Sequence, residues 1–211
     1  MKRGVNTTSC KSFATRIHHV EFCDSVRLIQ KGQISEAVAL GKAALTAWEG
    51  AGCGIDVPRF KSVLAEGIAQ LGDFDAALDL INEAIAQIER PGWEERNEYA
   101  ETLRIKGCML ARKGDPEEAE RAYIDSLDWA RAQQAKSWEL RTATSYARLM
   151  RDQGRVGEAY ELLAPIYGWF TEGFGTKDLK EAKALLDELA DAPAVAASGG
   201  LAAAAAGAAG G

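Results

Sequence analysis

The sequence is poor in the residues on which catalysis and covalent cross-linking most often depend. Its 211 residues include two histidines and four cysteines, and the cysteines form no CxxC pair. Cys10, His18, His19 and Cys23 match no standard zinc spacing, and cysteines this scattered are typical of reduced thiols in a cytosolic protein. Acid–base catalysis would therefore need carboxylates, and no catalytic triad is discernible. We expect no enzyme activity, no metal and no cofactor.

Long apolar runs and excess positive charge are missing as well. No stretch reaches the roughly 18 apolar residues that span a bilayer. Against 31 acidic residues there are 25 basic ones, which argues against nucleic-acid binding by bulk attraction. Residues 1–16 are basic without the apolar core of a secretory signal, so they are interpreted as a flexible leader, with an organelle transit peptide as the alternative. We expect a cytoplasmic protein that binds neither membrane nor nucleic acid.

Proline is scarce, whereas a glycine-centred pattern recurs along a chain rich in good helix formers. Glycines at positions 32, 72, 114 and 154 each precede an alanine by five residues, so the unit recurs after 40, 42 and 40 residues. Apolar residues at spacings of three and four flank each glycine on both sides. The pattern predicts helix–turn–helix hairpins with a left-handed glycine in the turn, and with Asp73 and Asp115 capping the second helix.

A small residue also recurs twelve positions before each repeat alanine: Ser25, Ala65, Gly107 and Ala147. Small side chains let two helix axes approach closely. With the bulky and small positions that follow, such as Ile81 and Ala84, the chain resembles the tetratricopeptide repeat (TPR) family. The resemblance implies an all-α, TPR-like helical-hairpin solenoid over residues 17–176, with repeats at 17–50, 57–90, 97–135 and 137–171. Gly41 departs from the pattern, since a bulky residue is expected there, and the period exceeds the usual 34 or so residues.

The C-terminal part predicts a cap and a tail. Residues 177–191 form an amphipathic pattern suited to a capping helix, which a solenoid needs over its last apolar face. Residues 192–211 are rich in alanine and glycine and are predicted to be disordered. Before the cap, the aromatic residues Tyr167, Trp169, Phe170 and Phe174 are predicted to pack between the last hairpin and the cap, with a ligand pocket as the alternative.

Residues from about 100 to 190 carry a second resemblance, to the C-terminal TPR region of bacterial signalling proteins. It rests on the segments 131–141, 164–174 and 178–186. In those proteins a class III nucleotide cyclase domain and a predicted ATPase domain come first, and this sequence contains neither. The resemblance implies a regulatory C-terminal fragment or paralogue, whose partner would be a cyclase or ATPase encoded elsewhere.

Repeat arrays bind partners on their concave face, so the inner helices hold the candidate binding residues. Anchored on the small residue, the groove-facing register is Ser62, Glu66, Ala69 and Gln70 in the second unit. In the third and fourth units it predicts this partner-binding set: Arg104, Cys108, Arg112, Arg141, Thr144, Arg148 and Arg151. Arginine forks suit the carboxylates of an acidic peptide. The alternative is a solvated face whose arginines pair with nearby acids, such as Arg148 with Asp152.

The function expected from the sequence is a non-catalytic scaffold that binds a protein or an acidic peptide in the groove of a TPR-like solenoid. The regulatory signalling fragment is the alternative. An enzyme and an RNA-binding helical repeat are the remaining alternatives.

Overall fold

Nine α-helices and no strand make up residues 13–52, 54 and 56–192, the part of the chain described by this computed structural model, with side chains from residue 19 onward. The helices are α1 (Phe13–Gln30), α2 (Ile34–Gly50), α3 (Val57–Gln70), α4 (Phe74–Ile88), α5 (Tyr99–Lys113), α6 (Pro116–Ala132), α7 (Lys136–Asp152), α8 (Val156–Gly168) and α9 (Lys177–Asp191). Each helix packs on the next, and the odd-numbered helices also contact one another in sequence. Four hairpins followed by α9 confirm the predicted helical-hairpin solenoid.

The turns inside the hairpins have the predicted local chemistry. Gly72 and Gly114 adopt φ angles of 90° and 95°, a left-handed conformation that glycine accepts without a steric penalty. The Asp73 carboxylate accepts a hydrogen bond from the Ala76 N–H at 3.1 Å, and Asp115 accepts one from the Glu118 N–H at 3.3 Å. These contacts satisfy donors that the start of a helix leaves open, so the caps begin α4 and α6 where the sequence predicts.

The two helices of a hairpin meet at pairs of residues sixteen positions apart. In the second and fourth repeats an alanine and an aliphatic residue, all of them buried, occupy these positions, Ala65 and Ile81 in one and Ala147 and Leu163 in the other. In the third repeat Gly107 lies so close to the Tyr123 ring that a Cβ atom would stand 2.6 Å from Cε1. The larger side chain of α6 thus occupies the space that the missing side chain of α5 leaves.

The first repeat reverses this arrangement, which explains its departure from the pattern. Gly41 is buried, and a Cβ atom there would lie 2.9 Å from the Ser25 hydroxyl oxygen. That hydroxyl donates a hydrogen bond to the Ala37 carbonyl at 2.8 Å. The glycine on α2 therefore lets α1 and α2 approach closely around a buried serine.

The array ends on α9, whose buried leucines face α7 and α8. Its bounds coincide with the predicted capping helix. At the other end α1 begins at Phe13, three residues before the predicted end of the leader at residue 16. Residues 1–12 and 193–211, which hold most of the predicted leader and nearly all of the predicted tail, lie outside the described residues. No helix among those described is both long and apolar enough to cross a membrane.

Candidate partner-binding face

The odd-numbered helices α3, α5, α7 and α9 contact one another in order, and we call the side that they form the inner face. The predicted binding residues lie on α5 and α7. A cavity of about 140 Å³ opens between α3 and α5. Its polar lining comes from Glu66 and Gln70 on α3 and from Cys108 and Arg112 on α5. The structure thus brings two members of the predicted set together with two residues that the same register assigns to the second unit.

Arg104 lies at the base of this face and is held by acidic residues of its own chain. It is 8% exposed, and its Nε and Nη2 atoms each lie 2.8 Å from a carboxylate oxygen of Glu101. A further contact at 3.4 Å reaches Glu66 on α3. Burial disfavours the charge of Arg104, but the hydrogen bonds with Glu101 outweigh it and raise the pKa of the guanidinium. Arg104 therefore stays charged and fixes α5 against α3.

Glu101 also joins α5 to α7, because the same carboxylate accepts a hydrogen bond from Arg141 Nη2 at 2.6 Å. The Arg141 guanidinium additionally stacks over the Trp138 ring at 5.3 Å. Glu66, beside this cluster, has its pKa raised by burial, and the nearby Arg104 charge offsets only part of that effect. Glu66, Arg104, Glu101 and Arg141 form a continuous network across three inner helices.

At the C-terminal end the arginines of α7 pair with the capping helix. Arg148 Nη2 lies 3.0 Å from a carboxylate oxygen of Glu181, and this hydrogen bond lowers the pKa of Glu181. Arg151 bridges Glu188 at 2.9 Å and Asp152 at 2.8 Å. Asp152 is thus a partner of Arg151, and α9 supplies the partner of Arg148. Both arginines remain partly open to solvent, with side-chain exposures of 41% and 31%.

Arg112 differs from the other four arginines. Its guanidinium lies 5.2 Å above the Phe74 ring, and Nη2 donates a hydrogen bond to the Ala69 carbonyl at 3.4 Å. Among the described residues no carboxylate lies within ion-pairing distance of it. Arg112 is exposed at the edge of the 140 Å³ cavity, so its outer N–H groups face solvent.

The two uncharged members of the predicted set are less accessible. Thr144 is buried and donates its hydroxyl to the Leu140 carbonyl one turn earlier at 2.7 Å. The Cys108 thiol accepts hydrogen bonds from Arg104 Nη1 and from the Tyr123 hydroxyl, each at 3.4 Å. Thr144 therefore contributes to packing within α7, while half-buried Cys108 lines the cavity wall.

The remaining sequence candidates stand apart from this face. The His19 Nδ1 and Cys23 Sγ atoms lie 3.6 Å apart, whereas Cys10 and the His18 side chain fall outside the description. The described part of the chain holds no cluster of three metal-ligating side chains. At the aromatic end, Tyr167 and Phe170 pack against the core while Trp169 and Phe174 are exposed.

A second and larger cavity, of about 460 Å³, was missed by the sequence reasoning. It lies where the end of α4, the segment before α5 and the C-terminal half of α6 meet. Tyr99 and Trp129 form its aromatic wall and pack edge to face with ring centroids 5.0 Å apart. Aligning the repeats position by position would have pointed to it, because Leu103 stands where the preceding repeat has Lys61.

Comparison with known proteins places the fold. No protein-family model matches the chain, and no curated protein matches it. Two crystal structures of a protein assigned as a kinesin light chain from Podosopora anserina, with nearly identical TPR-like repeats, are similar to it, and one of the two is a point variant. Both have a TM-score of 0.64 and 18% sequence identity over 81% of this chain and 84% of that one. This likeness shows that the chain has the fold of TPR-like repeat proteins.

Proposed function

We propose that the protein is a non-catalytic interaction module that holds a protein partner along the inner face, with an acidic side chain or a C-terminal carboxylate of that partner bound at Arg112. The observation that carries the proposal is the cavity between α3 and α5, which ends on an exposed arginine, Arg112, that makes no ion pair within the described residues. A guanidinium in that position offers two parallel charge-assisted hydrogen bonds to a guest carboxylate.

Charge pairing divides the predicted arginines into two groups. Arg104 and Arg141 share Glu101, so a guest carboxylate would have to displace an internal one. Arg148 and Arg151 pair with α9 at the surface, where exchanging one carboxylate for another costs little. We therefore assign binding of the guest carboxylate to Arg112. Arg148 and Arg151 form the edge of the binding face, and Arg104, Arg141 and Thr144 form its rigid frame. A preformed frame lowers the ordering cost of binding.

The test begins with affinity capture of the partner and then measures its affinity for point variants. Arg112→Gln should weaken binding about tenfold or more, since a charge-assisted hydrogen bond contributes about 1.5–3 kcal/mol. Arg121→Gln is the matched control, because Arg121 is an exposed arginine on α6, away from the inner face. Binding by the parent chain should also weaken as salt screens the exposed guanidinium.

Full affinity in Arg112→Gln would overturn the assignment and direct the search to the aromatic end around Trp169. Arg104 is unsuited to this test. A glutamate at that buried position would place a third carboxylate beside Glu66 and Glu101 and would destabilise the fold instead of probing binding.

A narrower proposal names the partner as an ATPase or a nucleotide cyclase of a bacterial signalling system. Its support is the sequence resemblance of residues 100–190 alone. The domain content of the captured partner decides it, and a partner with neither domain would contradict it. A cytoplasmic location is likewise a proposal, supported by the cysteine usage of the chain.

A further inference from the structure

The larger cavity lies on a different side of α5 from the inner face and has a mixed lining. Buried Leu103 lies at its floor, and the aromatic wall is formed by Tyr99 and Trp129. Carboxylates of Glu89, Asp125 and Asp128 surround the opening. One guanidinium, that of Arg96, also lines the cavity, so the carboxylates outnumber the cations.

In the preceding repeat, acidic residues at the equivalent positions bind a lysine side chain of the protein itself. There Lys61 extends from α3 between the ends of α2 and α4. Its ammonium lies 3.3 Å from Glu49 and 2.8 Å from Glu83, with the side chain 11% exposed. Burial works against the charge of Lys61, but the two carboxylates outweigh it and raise its pKa. In this repeat the protein itself seats an ammonium group between two acids.

Aligning the repeats shows that the larger cavity has the same acidic positions, with one residue exchanged. Anchored on the small residues of α3 and α5 and on the repeat alanines, Glu49 corresponds to Glu89 and Glu83 corresponds to Asp125. Lys61 corresponds to Leu103. Both acidic positions are kept while the lysine is lost, and the cavity opens above the leucine that replaces it.

Two hydrogen-bond donors at the cavity lack acceptors. Arg96 Nε and Trp129 Nε1 are buried and have no hydrogen-bond partner among the described residues. A buried N–H group without an acceptor costs free energy, so both donors favour a guest that carries carbonyl oxygens, which reach them once the surrounding side chains shift to admit the guest. A peptide supplies such oxygens next to its side chains, whereas a simple amine does not.

We propose that this cavity binds a lysine side chain presented by a peptide segment of a partner protein. The ammonium group lies between Asp125 and Glu89, as Lys61 lies between Glu83 and Glu49, and the Glu89 carboxylate also accepts a hydrogen bond from the Tyr99 hydroxyl. The methylene stem packs along Tyr99 and Trp129, which attract a cation through their ring faces. Peptide carbonyls of the guest accept the hydrogen bonds of Arg96 and Trp129. This second contact is independent of the carboxylate bound at Arg112.

The test is an NMR titration of the full chain with two capped peptides, acetyl-Ala-Lys-Ala-amide and the same peptide with norleucine in place of lysine. The readout is the indole N–H signal of Trp129, assigned by its loss in Trp129→Phe. The lysine peptide should shift this signal in a saturable way, and the norleucine peptide should not. Equal shifts with both peptides would overturn the proposal. Butylammonium binding as tightly as the lysine peptide would overturn the role given to the peptide carbonyls.

Two variants test the ammonium position directly. Leu103→Lys restores the internal lysine of the preceding repeat and should abolish the response to the lysine peptide. Asp125→Asn should weaken binding about two- to fivefold, as expected for one partner of a partly exposed ion pair. Asp79→Asn, an exposed acid at the far end of α4, is the matched control and should bind as the parent does. Should the lysine variant not fold, unchanged affinity in Asp125→Asn would overturn the proposal by itself.

Discussion

At the scale of single residues, Gly107 is the described glycine with the least room for a side chain, because the Tyr123 ring packs against it. Gly107→Ala adds a methyl group 2.6 Å from a ring carbon, so the ring must move. Alanine is the better helix former by about 1 kcal/mol, but overpacking a core costs about 1–3 kcal/mol. Steric crowding should prevail, and urea unfolding should show a lower free energy of unfolding for the variant.

Two comparisons separate crowding from a general effect of alanine. With Tyr123→Leu present, adding Gly107→Ala gives the third repeat the Ala–Leu pair of the fourth and should be neutral or stabilising. Gly157→Ala in α8, where a Cβ atom meets nothing within 4 Å, should not destabilise. An equal loss from Gly107→Ala in both backgrounds would contradict the role given to Tyr123.

At the scale of helices, Glu139 joins α6 to α7. Its side chain is 6% exposed and lies 3.0 Å from Arg131 and 2.7 Å from Lys136. Burial alone would raise the pKa of this carboxyl, but the two cations outweigh it and lower the pKa. Glu139→Gln should therefore reduce the free energy of unfolding at neutral pH by about 1–2 kcal/mol, less than the full contribution of roughly 1.5–3 kcal/mol from a hydrogen bond to a charged group, because Arg131 and Lys136 are partly exposed.

The pH dependence of that loss has a definite sign. A carboxyl whose pKa is lower in the folded state contributes stability above its unfolded pKa, about 4.3, and loses it as the pH falls through the folded pKa. The difference between the parent and Glu139→Gln should shrink in acid, measured by denaturant unfolding from pH 7 to pH 3. Glu161→Gln, at an exposed position of α8, should show no such trend. A difference that stays constant with pH would contradict the assignment.

The elements also show how far sequence reasoning reaches. The turn glycines and the caps at Asp73 and Asp115 were predictable because their contacts lie within a few residues of the chain. The partner of Arg148 was not, since Glu181 is 33 residues away and only the packing of α9 on α7 brings the two together. Three separate segments line the 460 Å³ cavity, so its shape was not predictable, and only the exchange of Lys61 for Leu103 between aligned repeats points to it.

At the scale of the whole molecule, every described helix contacts only helices that are one or two positions away from it along the chain. Stability in such an array is approximately a sum of repeat terms and interface terms, so a change at one end weakens with distance. α9 contacts α7 and α8 alone, and its buried leucines cover the last apolar face. The network of Glu66, Arg104, Glu101 and Arg141 joins the inner helices farther from that end.

Two truncations test this view of the array. Removal of residues 177–211 should lower Tm and should reduce amide hydrogen-exchange protection most in α7 and α8 and least in α1 to α4, because the exposed leucine-facing surface belongs to the last hairpin. Removal of residues 193–211 alone is the matched control and should leave Tm unchanged, as predicted for an alanine- and glycine-rich tail. A uniform loss of protection across all helices would show a single cooperative unit and contradict the neighbour-limited array.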